Sequence, residues 1–387
     1  MKKIILPLLL ASSFSLFAAP ASAATQYDLL VGTYTGASSE GIYRYRFDAT
    51  TGQISTQPLQ VVKSDNPSWL TLNQDQTRLY VVNENGPGAK DVQGKLSVFK
   101  IDPQTHDLTQ TGQVLSSGDE PTFSSLSKGE QHVFVANYAV QPDPGGSLAV
   151  LGIDRDGGLS PAVQREGHVA SKVNPQRQAS SHVHSVVSSP DGHFVYVQDL
   201  GADKVFVYRY DANNLKQPLT PATPAFVALP PGSGPRHLLF SADGKHAYLT
   251  LEMAGQVAVF DVDKGQLVRK QLVDMAAGKG AEHKAGSGLH FSADGKWLYV
   301  GNRGQSNELL VFAVDAKSGQ LTEVQRRAVE GIEPREFAID PSGGWVLIAN
   351  QKSNQIVVVQ RDPATGLLGK TVQTLKIDSP SDIKFLR

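Results

Sequence analysis

One short segment recurs six times along this chain, and a chain that repeats itself folds as a stack or ring of like units. The clearest copies are Ser189-Pro-Asp-Gly-His-Phe-Val-Tyr-Val, Ser241-Ala-Asp-Gly-Lys-His-Ala-Tyr-Leu and Ser292-Ala-Asp-Gly-Lys-Trp-Leu-Tyr-Val. Looser copies start at Asn73, Ser127 and Asp340, and successive starts lie 48 to 62 residues apart. Asp-Gly is a hairpin-turn signal, because Gly accepts positive φ and Asp bonds its own backbone. A β-rich run precedes each turn and an aromatic or β-branched run follows it. A third run comes next, at 95–101, 147–153, 204–210, 256–262, 308–314 and 355–360. Several of these enter an Asp-x-x-x-Gly turn, such as Asp315-Ala-Lys-Ser-Gly319, and then a poorer fourth run. Four antiparallel strands in about 50 residues is the unit of a β-propeller.

The ends of the chain supply a seventh unit. Residues 381–386 read as a first strand that stops, while 28–34 and 41–47 read as second and third strands without a first. Pairing them closes the ring and leaves no free edge. The expected fold is therefore all-β, a seven-bladed propeller forming one domain over residues 24–387.

Residues 1–23 read as a leader. Lys2 and Lys3 precede an apolar run from Ile4 to Phe17, and Ala21-Ser22-Ala23 is a small-x-small cleavage site. The run is short for a membrane span. A bacterial export signal of this kind implies the periplasm. With 36 basic and 37 acidic residues interspersed, nothing favours nucleic acid. Cysteine is absent, which excludes disulfides and thiolate metal sites.

In a propeller blade the first strand begins, and the second ends, at the same mouth of the central channel. Aligning the repeats gives two rings there. One holds Ser68, Thr122, His184, Arg236, Ser287, Arg335 and Ser381; the other holds Tyr34, Glu84, Tyr138, Leu200 (or Asp199), Glu252, Arg303 and Gln351. Blades three to six concentrate His184, Arg236, Glu252 and Arg303, the candidate catalytic set. Tyr34, Glu84, Tyr138, His182, Arg335 and Gln351 are candidate substrate contacts. Several arginines with a carboxylate suit an oxygen-rich small molecule. Arg236 and Glu252 could also simply pair within one blade, and a paired glutamate still stays ionised. His182 could equally brace a loop, and His237 and His290 are expected inside the blades. Glu84, Asn137 and Asp199 could hold Ca²⁺, but no dense ligand cluster is visible, so no metal or cofactor is expected. Neither Gly-x-Ser-x-Gly nor His-Glu-x-x-His occurs.

Val31-Gly-Thr-Tyr-Thr35, Gly234-Pro-Arg-His237 with Glu252 sixteen residues after Arg236, and Glu333-Pro-Arg-Glu-Phe337 together resemble the bacterial lactonase family of seven-bladed propellers. His182-Val-His184 and Asn302-Arg303 agree with it. That family includes 6-phosphogluconolactonase and the fungal carboxymuconate lactonizing enzyme. The resemblance implies lactone chemistry by a histidine, two arginines and a glutamate, which fall on His184, Arg236, Glu252 and Arg303. The leader points to a compartment poor in sugar phosphates. D-Glucono-1,5-lactone or a similar sugar lactone is therefore the expected substrate, with Glu252 or His184 as base and the arginines on the oxyanion. A phosphorylated lactone, muconate lactonization and a non-catalytic binding propeller are the alternatives. These side chains are expected to line a wet mouth. The sequence leaves the oligomeric state open.

Overall fold

The computed structural model describes residues 25–36, 38–139 and 145–387. The leader proposed for residues 1–23 lies outside them.

Seven antiparallel sheets surround one channel. Blade one is built from Pro67–Leu72, Arg78–Asn83, Lys95–Ile101 and Leu108–Leu115, from the channel outward. Blades two to six begin at Pro121, Val183, Pro235, Gly286 and Pro334 and repeat that order. Blade seven takes its inner strand, Pro380–Leu386, from the C-terminus, and Gln26–Thr33 and Gly41–Asp48 from the N-terminus. Its outer edge is split into Gln53–Ile54 and Gln60–Lys63. The closure anticipated from the two chain ends is thus formed.

The recurrent Ser-x-Asp-Gly has a local cause. Ser292 Oγ donates to Asp294 Oδ1 (2.7 Å) and accepts the Trp297 N–H (3.1 Å), while Asp294 Oδ1 also accepts the Lys296 N–H (3.2 Å). The turn is closed by its own side chains, and Gly295 supplies the left-handed φ of +69°.

The core lies between blades, not within one sheet. Along Trp345–Asn350, Val346 and Ile348 pack with Tyr299, Leu309 and Val311 of blade five, while Leu347 and Ala349 pack with Leu29, Val31 and Tyr45 of blade seven. Successive side chains point to opposite faces of a strand, and both faces are buried. That is why these strands read as unbroken apolar runs instead of alternating ones.

Candidate active site

Two backbone devices place side chains at the mouth. Each first strand carries a register irregularity at its second residue, so Pro67 pairs with Asn83 but Trp69 with Val82, bypassing Ser68. The same break bypasses Thr122, His184, Arg335 and Ser381, and in blades four and five it spans Arg236–His237 and Ser287–Gly288. A bulge unpairs one residue and re-aims its side chain. Opposite it, the residue after each second strand donates its N–H to a carbonyl just before the first strand. Glu252 N–H reaches Gly234 O (2.7 Å), Arg303 N–H reaches Ala285 O (2.8 Å), and Leu200 N–H reaches His182 O (2.9 Å). This pattern settles the register of blade three: Leu200 holds the ring position and Asp199 does not.

The rings enclose a cavity of about 290 Å³. His184, Glu252 and Arg303 line it together with Glu84, Tyr138 and Arg335. At its centre Glu252 meets three guanidiniums. Oε1 accepts from Arg177 Nη2 (2.6 Å), and Oε2 lies 2.9 Å from Arg303 Nη2 and 3.2 Å from Arg236 Nε. His184 Nε2 is 3.8 Å from the same Oε2. Arg303 Nη1 also reaches Glu333 Oε1 at 3.0 Å.

Burial pushes the Glu252 carboxyl upward, but Arg303, Arg177 and Arg236 outweigh it and hold the group down at about 2. Burial, reinforced by Arg236, Arg335 and Arg303, drives His184 well below the ordinary histidine value, so its imidazole is neutral at pH 7. Burial and the Arg303 charge lower Arg236 to about 10 against the pull of Glu252, and it remains a cation. Arg236 is also only 2% exposed. It stands behind the cavity wall as a buttress, which corrects the expectation that it lines a wet mouth.

The candidate contacts divide into three groups. Glu84, Tyr138 and Arg335 border the cavity. Tyr34 sits behind them, donating from Oη to Glu84 Oε2 (2.7 Å) beneath the Arg335 guanidinium, which lies 5.0 Å from its ring centroid. His182 also stands behind, stacked on Tyr138 at 4.6 Å with Nδ1 2.9 Å from Tyr138 O. Gln351 opens the 3-10 turn Gln351–Ser353 and is not brought to the cavity wall. Of the three residues weighed for Ca²⁺, the two carboxylates are engaged elsewhere, while Asn137 is held through its Nδ2 and its buried Oδ1 has no hydrogen-bond partner among the described residues. Asp199 accepts from Ser181 Oγ (2.6 Å) and pairs with His168 Nδ1 (2.9 Å), Asn137 donates to Ser116 O (3.2 Å), and Glu84 accepts from Tyr34.

Three cavity residues escaped the sequence reading as site residues. Thr122 holds a ring position but carries no charge to mark it, and Glu120 comes from the connection between blades one and two. Arg177 lies in the connection between Gly167 and Val183, the longest between blades, and its length was the available signal. Its guanidinium crosses the mouth to Glu252 and Tyr138 Oη (3.2 Å).

Residues 28–385 match the model of the family described as lactonase, seven-bladed β-propeller. The chain belongs to that family. Its chemistry is therefore hydrolysis of a lactone ester, which sets aside the binding-only alternative. This lactonase is similar in structure to the periplasmic gluconolactonase PpgL of Pseudomonas aeruginosa, with a TM-score of 0.91 and 55% identity over 94% of this chain and 99% of that one. It is 31% identical over 364 residues to 6-phosphogluconolactonase of Bacillus subtilis, covering 94% of this chain and 99% of the relative. The 6-phosphogluconolactonase of Formosa agariphila is 32% identical over 363 residues, with 92% and 99% covered.

Proposed function

We propose that this lactonase hydrolyses D-glucono-1,5-lactone to gluconate. The observation that carries the choice of an unphosphorylated substrate is the charge balance of the mouth. Among the described residues, every arginine there has a glutamate within 4 Å: Arg177 and Arg236 on Glu252, Arg303 on Glu252 and Glu333, and Arg335 on Glu84. A phosphate would meet guanidiniums whose charge is already offset by glutamates and would add its own repulsion with those carboxylates, whereas an uncharged polyhydroxy lactone can hydrogen-bond to the remaining N–H groups without that cost. Similarity to a periplasmic gluconolactonase supports the same reading. Together with Lys2, Lys3 and Ala21-Ser22-Ala23, it also supports export to the periplasm.

In the reaction we assign, the neutral His184 is the base. Both Glu252 oxygens are taken up by guanidiniums, Oε1 by Arg177 and Oε2 by Arg303 and Arg236, whereas the His184 ring keeps a nitrogen without a hydrogen-bond partner. The Glu252 carboxylate instead stabilises the imidazolium that forms 3.8 Å away. Water oxygen bonds to the lactone carbonyl carbon as His184 takes its proton. Arg303, on the cavity wall, stabilises the oxyanion, with Arg236 adding positive potential from behind. The ring carbon–oxygen bond then breaks, His184 returns the proton to the leaving oxygen, and the new carboxyl ionises.

Turnover of D-glucono-1,5-lactone and its 6-phosphate by purified protein, corrected for spontaneous opening, tests the substrate. The unphosphorylated lactone is expected to show the higher kcat/KM. The reverse order would favour the phosphogluconolactonase reading that the Bacillus and Formosa relatives bear in their names.

A further inference from the structure

Below the mouth the channel holds buried carboxylates that the reaction above does not use, Asp382 on the inner strand of blade seven and Glu336 on that of blade six. Glu336 is 2% exposed. Its Oε1 accepts from His290 Nε2 (2.8 Å) and from the Phe337 N–H (3.0 Å). Its Oε2 faces His237 Nδ1 at 3.7 Å. Gly288 makes room for it, since a Cβ there would stand 2.0 Å from Glu336 Oε1. His237 in turn touches the catalytic cluster, with both ring nitrogens 3.3 Å from Arg236 Nη1. Trp69, Phe123 and His184 pack edge-on against the His237 ring, with centroids 5.3, 5.3 and 5.2 Å away, so it has little freedom to turn. An unbroken line of side chains therefore runs from Glu336 through His237 and Arg236 to Glu252.

We propose that Glu336 is a positioning residue: through His237 it holds Arg236, and through Arg236 the Glu252–His184 pair, in the geometry that lactone opening requires. The inference rests on the lactonase reading of the mouth. Packing alone does not call for a carboxylate at this point in the channel, because a hydrophobic side chain would fill the space without its desolvation cost. A fixed negative charge two side chains below Arg236 gives that guanidinium a second anchor, opposite Glu252. Arg236 is thereby pinned from both sides while charge develops above it. Misplacement of a catalytic group by an ångström costs on the order of 10²-fold in rate.

The test measures kcat and KM on D-glucono-1,5-lactone for Glu336→Gln and His290→Asn, and for Glu336→Gln again in an Arg236→Lys background, each beside a thermal melt. Glu336→Gln is expected to lower kcat about 10–100-fold with KM unchanged within about threefold. His290→Asn, which removes the donor to Glu336, is expected to lower it less. Because the effect runs through Arg236, Glu336→Gln should cost under about threefold once Arg236 is Lys. A folded Glu336→Gln protein with normal kcat, or an equal loss in both backgrounds, overturns the proposal. If Glu336→Gln does not fold, His290→Asn decides, since that side chain is 35% exposed; normal kcat there overturns the proposal as well. Equal turnover by wild type and Arg236→Lys would instead bring down the reading of the mouth itself.

Discussion

Glu252 takes ion pairs from three arginines at once, and this single side chain sets the electrostatics of the mouth. Glu252→Gln keeps the shape and removes the charge. It leaves Arg236 and Arg303 without their shared carboxylate and the His184 imidazolium without a stabilising partner. We expect kcat to fall by roughly 10²–10³, the loss that follows removal of one preorganised electrostatic partner. Removing one partner of a buried pair also destabilises, by about 3–5 kcal/mol, so the melting temperature should drop measurably. Arg236→Lys keeps the charge but loses the planar fork and should also be costly. Near-normal turnover by folded Glu252→Gln would remove the carboxylate from the mechanism. The ring alignment brought His184, Arg236, Glu252 and Arg303 to one mouth from sequence, because the repeat repeats the backbone and so repeats the direction of the side chain. Arg177 was invisible to that method: it belongs to a connection that no other blade shares.

At the scale of the element, each blade is locked to the one before it by the turn after its third strand. Gly366 of blade six has φ of +71°, and a Cβ there would lie 2.3 Å from Trp297 Cδ2 of blade five. The Gly366 carbonyl accepts from Tyr299 Oη at 2.6 Å. Gly52 of blade seven meets Trp345 of blade six in the same way. Gly366→Ala should destabilise the protein by about 1–2 kcal/mol from the backbone conformation alone, plus the displacement of Trp297. A denaturant titration should show a lower midpoint, while kcat stays near normal because the turn lies away from the cavity. An unchanged midpoint would mean that the indole shifts without cost. The Asp-x-x-x-Gly spacing made the turn legible in sequence. The need for glycine to admit an indole from the adjacent blade was not, since the two residues lie far apart along the chain.

For the whole molecule, stability depends on ring closure. Pro380–Leu386 pairs with Gln26–Thr33, and Asp382 Oδ2 accepts the Leu70 N–H of blade one at 2.8 Å, so the last strand ties blade seven to its neighbour. Ending the chain at Asp378 would remove the inner strand of blade seven, bare an edge along Gln26–Thr33 and open the ring. Such a protein is expected to lose its cooperative thermal transition and to aggregate. A soluble, active truncated protein with an unchanged melt would show that closure is dispensable. The sequence by itself determined the number of blades, their order, the pairing of the two chain ends and the residues aimed at the mouth. All of these follow from a period repeated in one dimension. Only the tertiary structure decided which side chains meet. It put Arg177 on Glu252, set Arg236 behind the wall, kept Gln351 away from the cavity and ran the Glu336–His237 line up the channel. Such contacts depend on distances across the ring between residues remote in the chain, and no local pattern encodes those distances.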